Sequence, residues 1–99
     1  PYLVTKNEIT DINNLNLSLD VNGERRQTGN TERMIFNFNF LISHISHFMT
    51  LYPGTIITTG TPAGTAMEMD MPKFLQVGDK LNLKVDQLGE QNHKVVNES

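Results

Sequence analysis

The chain has 99 residues, a formal net charge of −3 and no cysteine. This length suits one small domain. Eight basic residues against eleven acidic ones provide no positively charged surface for binding nucleic acid. Without cysteine there are no disulfides, thiol nucleophiles or thiolate metal ligands. No apolar run approaches the roughly 20 residues that span a bilayer, so we expect a cytoplasmic protein that binds neither nucleic acid nor membrane.

The apolar fraction limits what the chain can bury by itself. It is 37%, and tryptophan is absent. A chain of this length buries only about 60–65% of the surface that it exposes when unfolded. The composition therefore fits either a small independent domain or one part of a larger domain.

The first predicted element is a β-hairpin over residues 15–28. Apolar and polar residues alternate strictly from Leu15 to Asn22, and a period of two predicts a strand with one buried face. Asn22-Gly23 tolerates positive φ at both central positions of a type I′ turn. Glu24 to Gln27 then forms the returning strand.

The next predicted element is a helix from about Asn39 to Thr50. Its apolar residues recur at the offsets that line one helical face, namely Phe38, Leu41, Ile42, Ile45, Phe48 and Met49. Asn37 or Asn39 can act as the N-cap, and Pro53-Gly54 marks the end. We expect this apolar face to pack on the buried face of the first strand.

The second half of the chain is predicted to be mainly β-structure. Thr55–Thr59 is β-branched throughout and predicts a short strand, which leads into the loop Gly60–Gly64. A further strand is predicted around residues 81–85, a turn at Gln87–Gly89 and a last strand at His93–Val96. The fold class is therefore mixed α/β and mostly β, with one helix.

The loop Gly60–Gly64 is the best candidate for contact with a ligand. Pro62 fixes its own φ and restricts Thr61 to extended conformations, while the flanking glycines let backbone approach a ligand closely. The Thr61 hydroxyl can donate to a carboxylate or enolate oxygen. The pattern taken alone favours an ordinary strand-to-loop turn with a structural threonine.

The three histidines offer a weaker candidate. His44 and His47 lie at positions i and i+3 of the predicted helix and could share a metal. No glutamate lies between them, so the helical zinc motif with its general base is missing. We therefore interpret both residues, and His93 in the last strand, as structural.

Two further groups each allow two interpretations. Either Arg25 or Arg26 could pair with a substrate carboxylate, although a solvated hairpin is the favoured explanation. Three alternating methionines could form an adaptable lid over a pocket, although packing of a long loop is favoured; they are Met67, Met69 and Met71. Glu68 and Asp70 are expected to be solvated.

Several segments, in order, resemble the fumarylacetoacetate hydrolase family and together cover nearly the whole chain. They are Pro1–Thr5 ("GPYLVT" in the family), Val21–Glu24 with Arg26-Gln27 ("VNGE-x-RQ"), Gly29–Thr31, Met34–Phe36 ("MIF"), Thr59–Gly64 ("TGTPAG") and Phe74-Leu75 with Gly78-Asp79 ("FLKPGD"). The resemblance implies part of a β-roll or barrel with helices outside. It also implies that residues 1–99 are the C-terminal half of one catalytic domain.

The same resemblance implies where the metal would be held. The family's Glu-x-Glu pair, its later Asp and a nearby Lys belong to the first half, so the ligands of a divalent cation are expected upstream of Pro1. Mg²⁺ is the expected ion, with Mn²⁺ and Ca²⁺ as alternatives. This chain is then expected to hold no catalytic or metal-binding residue and to be inactive alone.

For the intact protein the resemblance implies a homodimeric enzyme of small 2-oxo, dicarboxylic or β-diketo acids. Its chemistry would be C–C hydrolysis, decarboxylation or double-bond isomerisation through an enolate, and the Met-rich segment most resembles the 2-hydroxyhepta-2,4-diene-1,7-dioate isomerases. Thr61, with Gly60, is the substrate-binding residue that the resemblance implies. The alternative is a non-enzymatic β-rich binding or assembly module.

Overall fold

The computed structural model describes residues 2–98, so Pro1 of the opening motif lies outside the described residues. One antiparallel sheet and one α-helix organise the chain. The strands are β1 (Asn16–Val21), β2 (Glu24–Asn30), β3 (Lys80–Val85) and β4 (Gly89–Lys94), and the helix is α1 (Phe38–Ser46). The predicted fold class, mostly β with one flanking helix, is confirmed.

The sheet has the strand order β2-β1-β3-β4, which places β1 between β2 and β3. Residues 31–79 connect β2 to β3 and carry the helix and the Gly60–Gly64 loop. Between β1 and β2 the register shifts: Leu19 pairs with Gln27, whereas Asp20 pairs with Arg25. Arg26 is therefore the extra residue of a β-bulge, which interrupts the alternation of side chains along β2.

The hairpin turn has the predicted geometry. Asn22 and Gly23 have φ values of 52° and 80°, as a type I′ turn requires. The Asn22 side chain also fixes the start of β3, because its Oδ1 accepts from the backbone N–H of Lys80 at 2.9 Å and its Nδ2 donates to Asp79 Oδ1 at 2.8 Å. The turn residue thus joins the first hairpin to the third strand.

The helix is shorter than its apolar pattern predicts. Asn37 is the N-cap, and its side chain accepts from the N–H of Phe40 at 2.8 Å. At the other end the Ser46 hydroxyl and His47 Nδ1 both contact the Ser43 carbonyl oxygen at 2.7 Å. The His47 N–H bonds to His44 instead. These side chains occupy the carbonyl that a continuing helix would use, so α1 ends at Ser46 and not near Thr50.

Two predictions for the second half need correction. The predicted strand Thr55–Thr59 is wrong, because these residues pair with no strand among the described residues. β-Branched residues favour extended backbone, but a strand also requires a neighbour with free N–H and C=O groups. The last strand begins at Gly89 and ends at Lys94, earlier than the predicted His93–Val96.

The chain buries little of its apolar surface. Only Leu15 and Val21 are buried hydrophobic residues in the described part of the chain, with 3% and 4% exposure. Ile35 and Ile56 are about nine-tenths exposed. The radius of gyration is 15.8 Å, whereas a compact domain of 100 residues has about 13 Å. Within residues 2–98, no helix is long and apolar enough to cross a membrane.

The expected packing of the helix on β1 is not observed. Almost no Cα atom of α1 lies within 8 Å of a Cα atom of the sheet. Instead, Leu17 of β1 and Phe38 and Leu41 of α1 line the same cavity. Of the predicted apolar face of the helix, Phe38, Leu41 and Ile45 are half-buried, whereas Ile42, Phe48 and Met49 are exposed.

Candidate functional site

The loop Gly60–Gly64 lies directly against the backbone of β2. A Cβ atom on Gly64 would be 2.0 Å from the Arg26 carbonyl oxygen, and a Cβ atom on Gly29 would be 3.0 Å from Pro62 Cβ. Gly64 also has a φ of 106°, which side-chain-bearing residues rarely adopt. The loop can approach β2 this closely because glycine occupies both contact points.

The side chain of Gln27 connects β2 to the centre of the loop. Its Nε2 donates to the Thr61 hydroxyl oxygen at 2.8 Å and to the Pro62 carbonyl oxygen at 2.7 Å. Gln27 follows the bulge residue Arg26, whose guanidinium contacts Met69 Sδ at 3.6 Å and the Lys73 carbonyl oxygen at 3.4 Å. Because the bulge interrupts the alternation of side chains along β2, the adjacent residues Arg26 and Gln27 both contact the connection between β2 and β3 (residues 31–79).

Glu68 holds the far end of the loop. Its Oε2 accepts from the N–H of Gly64 at 2.6 Å and from the N–H of Thr65 at 2.9 Å. The bond from the Thr65 N–H, followed by the bond from Gly64, lowers the pKa of Glu68 below its ordinary value. Glu68 is exposed, as expected, and it also fixes the loop.

A cavity of about 560 Å³ lies beside Thr61. Residues 59–63 form one side of it, and Leu17 of β1, the end of β2, the following turn and α1 form the remainder. Most of its lining is apolar, including Leu17, Met34, Ile35, Phe36, Phe38 and Leu41. Its one charged lining residue among those described is Arg33. The loop glycine and threonine predicted to contact substrate therefore lie on a cavity wall.

The other candidates from the sequence lie away from this cavity. None of Met67, Met69 and Met71 lines it; two of them are 83% exposed and Met69 contacts Arg26, so the methionines form no lid here. Arg25 is solvated and pairs with Asp20. Arg26 differs from the solvated side chain that was expected, because it is largely covered, with 13% side-chain exposure.

The histidines have separate neighbours. The His44 ring stacks on Phe40 and meets Phe48 edge-on, with centroids 5.8 and 5.1 Å apart. His47 contacts the Ser43 carbonyl, and His93 contacts Gln91. The three histidines thus lie in α1, just after its end and in β4.

Residues 2–98 do not fit a divalent cation on their own. Within this range, no three His, Asp or Glu side chains are grouped so that they could hold a metal ion. Hard cations such as Mg²⁺ require several oxygen ligands in close, defined geometry. The cavity beside Thr61 contributes no carboxylate from the described residues.

Gln27 is the residue of this candidate site that sequence reasoning missed. The sequence places Gln27 in the returning strand and in the "RQ" segment but indicates no contact with the loop, because its partners lie 34 and 35 residues further along the chain. The sequence signal that could have indicated contact between β2 and the loop is Gly29, close to Gln27 in the strand, together with the glycines that flank the loop. A strand that carries glycine near its end indicates close approach of another backbone.

Comparisons with known proteins agree with this architecture. The sequence profile described as fumarylacetoacetate (FAA) hydrolase C-terminal matches residues 1–96. An uncharacterized protein of Staphylococcus aureus strain USA300 is 48% identical over 89 residues, which are 90% of this chain and 30% of that protein. The chain thus spans about a third of the length of this curated relative.

Two solved structures share the fold. A putative HpcE protein from Mycobacterium smegmatis has a TM-score of 0.92 and 38% identity, over 96% of this chain and 35% of that one. Maleylpyruvate hydrolase from Sphingobium sp. SYK-6, in complex with manganese(II) and pyruvate, has a TM-score of 0.85 and 33% identity, over 98% and 34% of the two chains. The chain therefore belongs to the fumarylacetoacetate hydrolase family.

Proposed function

We propose that this chain supplies the substrate-contacting loop of a metal-dependent enzyme that acts on small 2-oxo or β-diketo acids. The observation that carries the proposal is the Thr61 hydroxyl, held by Gln27 at 2.8 Å on the wall of the cavity. A hydroxyl fixed in advance can donate to a carboxylate or enolate oxygen without reorganisation as charge develops, which is a large contribution to catalysis in many enzymes.

The substrate class is supported by a relative. The Sphingobium maleylpyruvate hydrolase, 33% identical to this chain, is described in complex with manganese(II) and pyruvate. Pyruvate is a 2-oxo acid, and an adjacent carboxylate and oxo group present oxygens that a hydroxyl donor can bind. We propose the same class of substrate here, with C–C hydrolysis, decarboxylation and double-bond isomerisation as the three candidate reactions.

We also propose that residues 1–99 are the C-terminal half of one catalytic domain. Large exposed apolar side chains support this, including Leu3, Ile35, Ile56 and Phe48, because soluble proteins rarely leave extensive apolar surface in water. The cation, proposed to be Mg²⁺, is then held by carboxylates upstream of Pro1, since the described residues offer no such cluster. Homodimer formation is proposed from the family resemblance, and a cytoplasmic location from the composition of the chain.

The test is an assay of the full-length protein with Mg²⁺ or Mn²⁺. Maleylpyruvate, as an acylpyruvate, and oxaloacetate, as a β-keto acid, serve as probes, and pyruvate release is measured with and without a chelator. We expect chelator-sensitive turnover of at least one probe. If neither probe turns over with either ion while pyruvate still binds, hydrolysis and decarboxylation of these probes are excluded, and double-bond isomerisation or the non-enzymatic binding module is favoured instead.

A further inference from the structure

We propose that Gln27 is a positioning residue that sets the direction of the Thr61 hydroxyl proton. The inference deepens the proposed function and rests on it, because it assigns the residue through which β2 controls the substrate-contacting loop. It is carried by two hydrogen bonds from one amide nitrogen, to the Thr61 hydroxyl oxygen and to the Pro62 carbonyl oxygen.

The chemistry of Pro62 fixes the orientation of the Gln27 amide. A carbonyl oxygen only accepts hydrogen bonds, so the atom of Gln27 that lies 2.7 Å from it must be the nitrogen and not the amide oxygen. An amide nitrogen carries two hydrogens. One is directed to the Pro62 carbonyl, and the second is therefore available for the Thr61 hydroxyl oxygen, 2.8 Å away.

This arrangement determines the role of the Thr61 hydroxyl. Its oxygen accepts from Gln27, so its own O–H cannot point back at that nitrogen, which has no free lone pair to receive it. The proton is left for another acceptor. Because Thr61 lies on the cavity wall, a substrate oxygen in the cavity can be that acceptor. Gln27 thus selects the donor role of a group that could otherwise donate or accept.

The loop is anchored to β2 at several neighbouring points. Gln27 is half-buried and pairs with Leu19 of β1, next to the bulge at Arg26. On either side of it, Gly29 contacts Pro62 and Gly64 contacts the Arg26 carbonyl. The loop is therefore held at three neighbouring points along β2. Small misplacement of a catalytic group can cost about 100-fold in rate, so the fixed amide is expected to matter for turnover.

The experiment compares variants of the full-length protein with the probe that it turns over. Gln27→Glu keeps the shape of the side chain but replaces the donor with a carboxylate, which accepts the Thr61 proton and turns it away from the cavity. Gln27→Met removes both polar atoms and serves if the glutamate variant does not fold. Thr61→Val, and the double variant that combines it with Gln27→Glu, complete a double-mutant cycle of the two residues. Gln91→Glu, on exposed β4 at the opposite edge of the sheet, is the matched control.

We expect Gln27→Glu to lower kcat about as much as Thr61→Val, by about 100-fold, with KM changed only a few-fold and no change in Gln91→Glu. The double variant should be no slower than Thr61→Val, because residues that act through one group are not additive. Losses that multiply in the double variant, or wild-type kcat in both Gln27 variants while Thr61→Val is impaired, would overturn the role of Gln27 alone. Full turnover in Thr61→Val would overturn the proposed role of the loop as well.

A second readout does not depend on activity. In NMR spectra of the full-length protein with labelled glutamine, Thr61→Val should shift one of the two side-chain amide protons of Gln27. The other proton, bonded to Pro62, should stay in place. Two unchanged protons would mean that Gln27 and Thr61 are not bonded in solution, which overturns the inference.

Discussion

Gly64 lies so close to Arg26 that a Cβ atom on the glycine would be 2.0 Å from the arginine carbonyl oxygen. This contact ties the end of the Gly60–Gly64 loop to the bulged part of β2. Since no real Cβ can tolerate that distance, any side chain at residue 64 must separate the loop from the strand. The position of Thr61 over the cavity depends on the same contact.

Gly64→Ala should therefore destabilise the full-length protein more than a glycine substitution in an open turn. The clash and the positive φ together are expected to cost about 2–5 kcal/mol. Gly54→Ala is the matched control, because Gly54 has a φ of 91° and nothing within 4 Å of its Cβ position; it isolates the φ strain at about 1–2 kcal/mol. Chemical denaturation measures both. Equal losses in the free energy of unfolding of the two variants would show that the loop does not contact β2 closely.

Glu68 should titrate below its ordinary pKa, since the N–H groups of Thr65 and Gly64 bond to its ionised form. A carboxyl whose pKa is lowered on folding stabilises the fold above its unfolded pKa, and that contribution is lost as the pH falls through the lowered value. The measurement is a carbon-13 NMR titration of the Glu68 carboxyl in the full-length protein. An ordinary or raised pKa would mean that these two bonds do not form in solution.

Val21→Asp should destabilise the full-length protein strongly, because Val21 is 4% exposed at the end of the inner strand β1. An unpaired charge in that position is expected to cost about 3 kcal/mol or more. Leu19→Asp, at a half-buried position of the same strand, should have a smaller effect. Lys84→Asp, on exposed β3 surface, is the control and should change stability by less than about 0.5 kcal/mol. Equal melting temperatures of all three variants would contradict the assigned inner face.

The sequence predicted the local elements better than the long-range ones. The hairpin at Asn22-Gly23 and the strand around Leu83 follow from alternation and turn chemistry, which act within a few residues. The segment Thr55–Thr59 has strand propensity, but whether it pairs depends on a neighbour that no local pattern specifies. The helix end depends on side chains that compete for the Ser43 carbonyl.

In the candidate site, too, the local features could be predicted and the long-range ones could not. Proline restricts the local backbone and glycine widens it, which made the Gly60–Gly64 loop a candidate, and the family resemblance then implied Thr61 with Gly60 as its substrate contact. Gln27 could not be singled out, because its bond to Thr61 spans 34 residues and depends on the bulge at Arg26. Pairing register is set by contacts across strands, so the direction of the Gln27 side chain became visible only in the structure.

The isolated chain should bind Mg²⁺ or Mn²⁺ no more tightly than about millimolar, because it lacks the cluster of oxygen ligands that such ions require. Residues 2–98 contain no group of three suitable side chains. Calorimetric titration of residues 1–99 measures this, with the full-length protein as the positive control. A micromolar site on the isolated chain would contradict the proposal that the ligands lie upstream.

The most direct test of the proposed role of this loop is Thr61→Val in the full-length protein, with Thr61→Ser as the control that keeps the hydroxyl. Valine keeps the β-branched shape and deletes only the donor, so we predict a fall in kcat of about 100-fold with little change in melting temperature or metal affinity. Thr61→Ser should retain most of the turnover. Wild-type kcat in Thr61→Val, or a loss of stability as large as the loss of activity, would contradict the claim that this loop presents its hydroxyl to the substrate.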